Sequence, residues 1–247
     1  MNPLEIVDPS WRNIINSLSY QEPLQQLNEE ILPNISYQPA KQDIFKVFET
    51  PVNKIKVVIL GEDPYPTPGN AVGRAFAVNE DRKIPASLRI ISNEIDNSFS
   101  DGTTKLVTSF DQEWRTLEHW QEQGVFLLNT ALTVETGNAG SHLKYWEEFT
   151  KRIISYISSE QPCIWVLWGR KVQNFIPHIK GEVFRVSGYD KETIKLIPGN
   201  SHMNYILTAP HPAAETYAGG NAGFYKCNHF LFINEILIRT KQSPINW

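Results

Sequence analysis

The sequence is poor in cysteine and in net charge and has no long apolar run, and each absence excludes a class of protein. Cys163 and Cys227 are the two cysteines among 247 residues, too few for a disulfide framework or the usual spacing of a zinc site. No apolar run approaches the ~20 residues of a membrane-spanning helix. The first residues lack a basic segment followed by an apolar one, so we expect no signal peptide and a soluble, cytoplasmic type of protein.

The charge balance argues against a polyanionic partner at first sight. With a net charge of −4, nucleic acid would have to meet a local basic patch, because the global field is mildly repulsive. We find no Gly/Ser linker, repeat or low-complexity segment. We therefore expect a single domain over residues 1–247, with a helical segment over about 1–50.

Four short and unbroken apolar runs predict buried strands at residues 56–60, 124–129, 163–169 and 204–209. Stretches with helical spacing of apolar residues lie at 85–99, 109–124, 145–160 and 224–238. This alternation predicts an α/β fold with a central four-stranded parallel sheet flanked by helices.

Polar side chains follow three of the predicted strands. Glu62 and Asp63 come after the first strand, Asn129 ends the second, and His211 follows the fourth. Ligands of open parallel sheets bind at the carboxyl ends of the strands, so we expect these residues to share one pocket. They suit hydrolysis assisted by a carboxylate, with an amide that reads the ligand and a histidine that stabilises a leaving group.

Signatures of other chemistries are missing from the sequence. There is no G-x-S-x-G elbow for acyl transfer. Neither a Walker lysine loop nor G-x-G-x-x-G follows the first strand, which disfavours nucleoside triphosphates and dinucleotides. The histidines do not form a cluster with metal-ligand spacing. We expect no metal and no cofactor.

Several segments match one enzyme family in order and spacing from about residue 43 to residue 238. GEDPYPTPGNAVGRAF (61–76) resembles the motif G-Q-D-P-Y-H-G-P-G-Q-A-H-G-L-A-F, and LLNTALTV (127–134) resembles L-L-N-T-V-L-T-V. VLWGRKVQ (166–173) matches an L-L-W-G strand end, APHPAAE (209–215) stands at A-H-P-S-P-L, and IPASLRII (84–91) replaces a proline-rich serine loop. These are motifs of the family 1 uracil-DNA glycosylases.

The resemblance implies a DNA repair hydrolase that flips uracil out of DNA and cleaves its N-glycosidic bond, leaving an abasic site. Asp63 would stabilise the oxocarbenium-like sugar and orient the attacking water. His211 would donate a hydrogen bond to uracil O2 as charge develops there. Phe76 would stack on the base, Asn129 would bind its polar edge, and Tyr65 would reject the methyl group of thymine.

The resemblance also implies the contacts with DNA and the partners. The residues implied to contact DNA are Pro85, Ser87, Ala213, Glu215 and Tyr217. Uracil-containing DNA is the expected substrate, and a protein inhibitor or a replication partner is a further possible partner. We expect a monomer without a membrane contact, associated with the nucleoid if the source is bacterial.

The motifs depart from the family at four places. Glu62 replaces a glutamine; its backbone N–H can still face the base, while its carboxylate would raise the pKa of Asp63 if the side chains approached. Successive side chains of an extended chain point apart, so we expect a modest effect. Pro66 and Val72 replace two histidines of the first motif. The fourth departure is the loop that contains Glu215.

Glu215 falls where the family has a leucine wedge. An apolar wedge holds open the gap left by a flipped base, whereas an acid directed at phosphates would be repelled. Either Tyr217 replaces the wedge by stacking or the loop is remodelled, and we expect single-stranded DNA to be preferred over duplex. Basic residues that could meet phosphates are Arg74, Lys83, Arg89 and Lys144.

Two alternative functions remain open. Glu62, Pro66 and the altered wedge are compatible with a non-catalytic DNA-binding or scaffold protein on the same fold. A glycosylase for another modified base, such as a C5-substituted uracil, is the second alternative, against which Tyr65 argues. Retention of the residues assigned to catalysis and base binding favours uracil excision.

Overall fold

The computed structural model of the protein describes residues 5–19, 22–99, 111–186 and 190–247. The strands in these ranges are β1 (Tyr37–Gln38), β2 (Val57–Gly61), β3 (Val125–Asn129), β4 (Val134–Glu135), β5 (Ile164–Trp168), β6 (Val183–Arg185) and β7 (Asn204–Ala209). The α-helices are α1 (Arg12–Ser19), α2 (Glu22–Gln26), α3 (Ala86–Phe99), α4 (Gln112–Thr116), α5 (Glu118–Glu122), α6 (Leu143–Glu160), α7 (Arg170–Gln173), α8 (Lys191–Lys195), α9 (Ala214–Tyr217) and α10 (His229–Arg239). No helix in the described ranges combines the length and apolarity that spanning a bilayer requires.

A parallel sheet of five strands, in the order β3-β2-β5-β7-β6, forms the centre of the described chain. The predicted α/β fold is confirmed, and the four predicted strands correspond to β2, β3, β5 and β7. The predicted number of strands is one too low, because β6 has three residues and none of them is fully buried. A strand this short carries no unbroken apolar run that the sequence pattern could reveal.

The sheet is buried on both faces, which explains its unbroken apolar strands. Val57 and Ile59 of β2 belong to an apolar cluster that includes residues of α3 and α10. Val58 and Leu60 point the other way into a cluster that includes residues of α1 and α6. Alternating residues of one strand therefore fill two separate cores, with helices covering each.

The predicted helices at 85–99 and 145–160 are α3 and α6. The predicted helix at 109–124 is instead two short helices, because Leu117 adopts a left-handed backbone with φ of 51° between α4 and α5; residues 109 and 110 lie outside the described ranges. The predicted helix at 224–238 begins only at His229, because four of the five preceding backbone N–H groups bond to the carboxylates of Glu215 or Glu94. The N-terminal segment is helical in short pieces, as Pro9–Trp11, α1, α2 and further single turns.

A buried asparagine joins the beginnings of β5 and β7. The side-chain oxygen of Asn204 accepts hydrogen bonds from the N–H of Cys163 and from Nε1 of Trp165, both at 2.8 Å. Its amide nitrogen donates to the carbonyl oxygen of Lys180 at 2.9 Å. Asn204 is 2% exposed and its bonds to Cys163 and Trp165 are buried, so removing the side chain leaves these two donors without a partner.

We predict that Asn204→Ala lowers the free energy of unfolding by about 2–5 kcal/mol, because it leaves two buried donors and one acceptor unpaired. Urea denaturation followed by tryptophan fluorescence measures the change. Asn53→Ala, at an exposed position, is the matched control and should stay within about 0.5 kcal/mol of the wild type. Equal stability of the two variants would contradict the view that the hydrogen bonds of Asn204 stabilise the junction of β5 and β7.

Candidate active site

A cavity of about 310 Å³ opens at the carboxyl ends of the central strands. The residues predicted to act on the base or on its glycosidic bond all line it: Glu62, Asp63, Tyr65, Phe76, Asn129 and His211. They come from the ends of β2, β3 and β7 and from the segment between β2 and α3. The expected convergence at this edge of the sheet is therefore confirmed.

Asp63 is held at the cavity wall by a backbone donor. The N–H of Gly140 donates to Oδ2 of Asp63 at 2.6 Å, and the N–H of Gly137 donates to the carbonyl oxygen of Pro66 at 2.9 Å. Burial raises the pKa of Asp63, and the Gly140 hydrogen bond offsets only part of that rise. The carboxyl group thus ionises at a higher pH than an exposed aspartate does.

The side chain of Asn129 lies over Gly61, where a larger residue would leave it no room. Gly61 and Asn129 are paired neighbours at the ends of β2 and β3. A Cβ atom on Gly61 would lie 2.2 Å from Oδ1 of Asn129 and 2.8 Å from Cβ of Ala75. The absence of a side chain at residue 61 therefore allows the Asn129 amide to lie across the strand ends, where it is 6% exposed at the cavity wall.

Two aromatic residues of the cavity are fixed to each other. The hydroxyl of Tyr65 donates to the carbonyl oxygen of Phe76 at 3.1 Å and pairs with Oγ of Ser87 at 2.8 Å. Burial raises the pKa of Tyr65 to about 12, so the ring stays neutral. Phe76 has a left-handed backbone with φ of 65°, which is costly for a bulky residue and clusters at functional sites. Its ring packs edge-on against Trp168 at 5.5 Å.

His211 lines the cavity, and a backbone N–H fixes the tautomer of its ring. Its Nδ1 accepts a hydrogen bond from the N–H of Ala213 at 3.1 Å, so the proton of the neutral ring resides on Nε2. Burial lowers the pKa of His211, which favours this neutral form. The chain of Gly169 passes close by, and a Cβ there would lie 3.0 Å from Cβ of His211. The histidine is thus a neutral donor.

Lys171 is a site residue that the sequence reasoning missed. Its Nζ lies 2.5 Å from Oε1 of Glu62 and it lines the same cavity. In the sequence, a lysine two residues beyond an L-W-G strand end is typical of the first turn of a solvent-exposed helix, which is why Lys171 was not assigned to the site. The available signal was the position of Lys171 at the carboxyl end of the strand that neighbours β2.

Glu215 does not point toward the surface, contrary to the expectation from the sequence. It is 3% exposed and accepts hydrogen bonds from the N–H groups of Ala222, Phe224 and Tyr225 at 2.8, 2.5 and 2.9 Å. Burial alone would raise the pKa of Glu215, but these donors outweigh it and the pKa is lowered. Glu215 therefore anchors the loop from inside. The expected repulsion between its carboxylate and DNA phosphates does not apply to a side chain that is buried.

A second buried carboxylate continues this anchoring. Glu94 of α3 is fully buried and accepts from the N–H groups of Lys226 and Asn228 at 2.8 and 2.9 Å. Burial raises the pKa of Glu94, and the two backbone donors oppose that rise. The segment from residue 222 to residue 228 is therefore held through its backbone by two acids.

The other residues expected at the DNA surface differ in exposure. Tyr217 is 90% exposed, whereas Pro85 and Ala213 are half-buried and Ser87 is buried at 8% exposure. Among the basic residues, Lys83, Arg89 and Lys144 are exposed. Arg74 is 5% exposed, and its guanidinium bonds to Glu118 and Gln121, so it is a structural ion pair and not a free phosphate contact.

Comparison with known proteins decides the family. The Uracil DNA glycosylase superfamily matches residues 48–237. The uracil-DNA glycosylase of Idiomarina loihiensis is 39% identical over 231 residues, which are 92% of this chain and 93% of that protein. The chain belongs to the uracil DNA glycosylase superfamily. The uracil-DNA glycosylase of Escherichia coli K12 is 34% identical over 245 residues, which are 96% of this chain and 94% of that protein.

Solved structures share the fold of this superfamily member. The crystal structure of mimivirus uracil-DNA glycosylase has a TM-score of 0.76 at 24% identity and covers 100% of this chain and 89% of that chain. A variant of the mimivirus protein in complex with UGI has a TM-score of 0.75 at 24% identity, covering 100% of this chain and 91% of that chain. At this level of identity the likeness concerns the fold.

We predict that Glu215→Gln destabilises this superfamily member by about 1–3 kcal/mol and exposes its loop to proteolysis, because an amide offers one acceptor atom and directs an NH2 group at the backbone donors. Since the folded-state pKa of Glu215 is lowered, its contribution is present above the ordinary pKa and is lost as pH falls. Thermal denaturation below pH 5 should therefore narrow the gap between variant and wild type.

Glu80→Gln, at an exposed position, is the control for this prediction and should leave stability and proteolysis unchanged. If the difference in thermal stability between Glu215→Gln and the wild type stayed constant on acidification, the ionised carboxylate of Glu215 would not be what anchors the loop.

Proposed function

We propose that this chain flips uracil out of DNA and hydrolyses its N-glycosidic bond, leaving an abasic site. The observation that carries the proposal is the convergence of Asp63, Asn129 and a neutral, donor-oriented His211 on one cavity. Relatives at 34–39% identity over more than nine-tenths of the chain bear the name uracil-DNA glycosylase. The roles proposed for the cavity residues are those that the resemblance implies, and the contacts described for the site support them.

The cavity receives the flipped base. Phe76 stacks on the uracil ring, and the amide of Asn129 bonds to its polar edge. The Tyr65 ring, tied to Phe76 and Ser87, occupies the space beside C5, so the methyl group of thymine would collide with it. The backbone N–H of Glu62 faces the base.

Cleavage breaks the bond between C1′ of the sugar and N1 of uracil, and the bonding electrons leave with the base. Asp63 stabilises the positive charge that develops on the sugar and orients the water that attacks C1′; the water leaves its OH on C1′, and the proton it loses balances the released uracil anion. His211 donates Nε2–H to uracil O2, where the negative charge accumulates. Because this histidine is already neutral, it stabilises the anion by a hydrogen bond without giving up a full proton.

DNA approaches along the carboxyl edge of the sheet. The half-buried Pro85 and Ala213 contact the DNA backbone, Ser87 orients Tyr65, and Lys83, Arg89 and Lys144 offer exposed positive charge. Tyr217, two residues beyond the anchored Glu215, enters the gap left by the flipped base. The enzyme acts as a single-domain monomer in the cytoplasm or nucleoid, and a protein inhibitor of the kind bound by the mimivirus relative is a partner of this surface.

We predict that Asp63→Asn reduces uracil excision by about 100-fold or more, since the developing cation loses its counter-charge. The assay uses an end-labelled single-stranded oligonucleotide with one uracil, followed by alkali and gel electrophoresis. The pKa of Asp63 is raised by burial and the ionised form is required, so wild-type activity should fall on acidification at a higher pH than an exposed aspartate would dictate.

Asp81→Asn, which alters an exposed acid, should cleave like the wild type. Absence of cleavage by the wild type with DNA binding intact would favour the scaffold function or another base.

We predict that the wild type prefers single-stranded uracil DNA and that Tyr217→Ala lowers duplex excision about 10-fold while single-strand excision changes little. Base–aromatic stacking is worth about 1–3 kcal/mol, and only the duplex needs a gap held open. Single-turnover rates on matched oligonucleotides measure both effects, with the exposed neighbour Thr216→Ala as the control. Equal losses on both substrates would exclude Tyr217 as the wedge.

A further inference from the structure

The proposed reaction makes no use of the carboxylate of Glu62, although Glu62 lines the same cavity as Asp63. Glu62 precedes Asp63 directly, lines the same cavity, and has a side chain that is 26% exposed. A carboxylate next to one that must ionise opposes that ionisation. The same negative charge would repel the phosphates of an approaching DNA strand. A compensating charge is therefore needed at this position.

Lys171 supplies that charge from the adjacent strand. β5 pairs with β2 in parallel register up to Leu60 and Leu167, so the chains emerge side by side. Gly169, with φ of 101°, turns the chain into α7, and Lys171 is the second residue of that helix. Its Nζ reaches Oε1 of Glu62 at 2.5 Å. The register of the sheet thus brings the two charges together.

We propose that Lys171 is a positioning residue for the reaction: its ammonium group neutralises Glu62 and holds that carboxylate at the rim of the cavity, so that Asp63 ionises beside it. The inference rests on the proposed uracil excision. It adds to that proposal an ion pair, Lys171–Glu62, in which the lysine offsets the negative charge of Glu62. Lys171 acts on the catalytic groups through its ion pair with Glu62 and through its own charge, and it touches no reacting atom.

The charges of Glu62 and Lys171 shift the pKa values of Asp63 and His211 in opposite directions. The titratable groups that line the cavity are Glu62, Asp63, Tyr65, Arg74, Lys171 and His211. Burial dominates the pKa values of Asp63 and His211; beyond burial, Glu62 raises both values and Lys171 lowers both. Arg74 is turned toward Glu118, and Tyr65 is neutral. Loss of the Lys171 charge would make Asp63 harder to ionise and His211 easier to protonate, and both changes oppose the reaction.

A direct contact between Lys171 and a DNA phosphate is the competing role, since its side chain is 71% exposed. The two roles differ in their dependence on Glu62. Compensation requires the glutamate, so removing the lysine charge should matter less once Glu62 is glutamine. A phosphate contact would be lost equally in either background.

The test compares the wild type with Lys171→Gln, Lys171→Arg, Glu62→Gln and the double variant Glu62→Gln/Lys171→Gln. Single-turnover excision of uracil from a single-stranded oligonucleotide is measured against pH. In the same proteins without DNA, the His211 imidazole is titrated by NMR, which reports the charge environment independently of activity.

We expect Lys171→Gln to move the acid limb of the rate profile to higher pH and to slow excision on that limb about two- to fivefold, the range of a partly exposed ion pair. The His211 titration should move to higher pH as well. Lys171→Arg should restore both, and the lysine substitution should cause smaller changes in the Glu62→Gln background.

An unmoved acid limb and an unmoved His211 titration in Lys171→Gln would overturn the proposal. So would a loss of rate that is equal in both backgrounds, which would indicate a phosphate contact. If the wild type does not cleave uracil DNA, the proposed function fails, while the His211 titration still decides whether Lys171 compensates Glu62.

Discussion

The candidate site depends on the parallel register of four neighbouring strands. Because β2, β3, β5 and β7 run the same way and pair in register, their carboxyl ends reach one edge together. That edge carries Asp63, Asn129, Lys171 and His211, which lie up to 148 positions apart in the chain, from 63 to 211. Gly61 completes the arrangement, since any side chain there would displace the Asn129 amide. The apolar strands thus position the site residues, which lie at or just beyond the strand ends.

Two buried acids organise the loop that follows His211. Glu215 and Glu94 accept five backbone hydrogen bonds from residues 222–228. Such charge-assisted bonds are stronger than neutral ones, and they let an irregular segment satisfy its backbone donors away from water. The position at which the resemblance implies an apolar wedge holds an internal anchor instead. The exposed aromatic ring of the loop is Tyr217, two residues further along the chain.

The electrostatics of the cavity rest on burial and on close partners. Burial raises the pKa of Asp63 and lowers that of His211, which brings a carboxyl group and a neutral imidazole to the same cavity. Lys171 and Glu62 add a neutral pair at the rim. In a chain with a net charge of −4, the ion pair leaves Glu62 less able to repel an anion, and exposed positive charge comes from Lys83, Arg89 and Lys144.

By itself, the sequence determined four strands of the parallel sheet and six of the residues that line the cavity, because unbroken apolar runs and motifs can be read along the chain. Only the tertiary structure decided the break at Leu117, the late start of α10, the short strand β6, the inward turn of Glu215 and the burial of Arg74. Each of these depends on a partner distant in sequence or on a backbone conformation that no periodicity encodes. The same holds for Lys171: its helical context is visible in the sequence, but its proximity to Glu62 exists only because β5 lies next to β2.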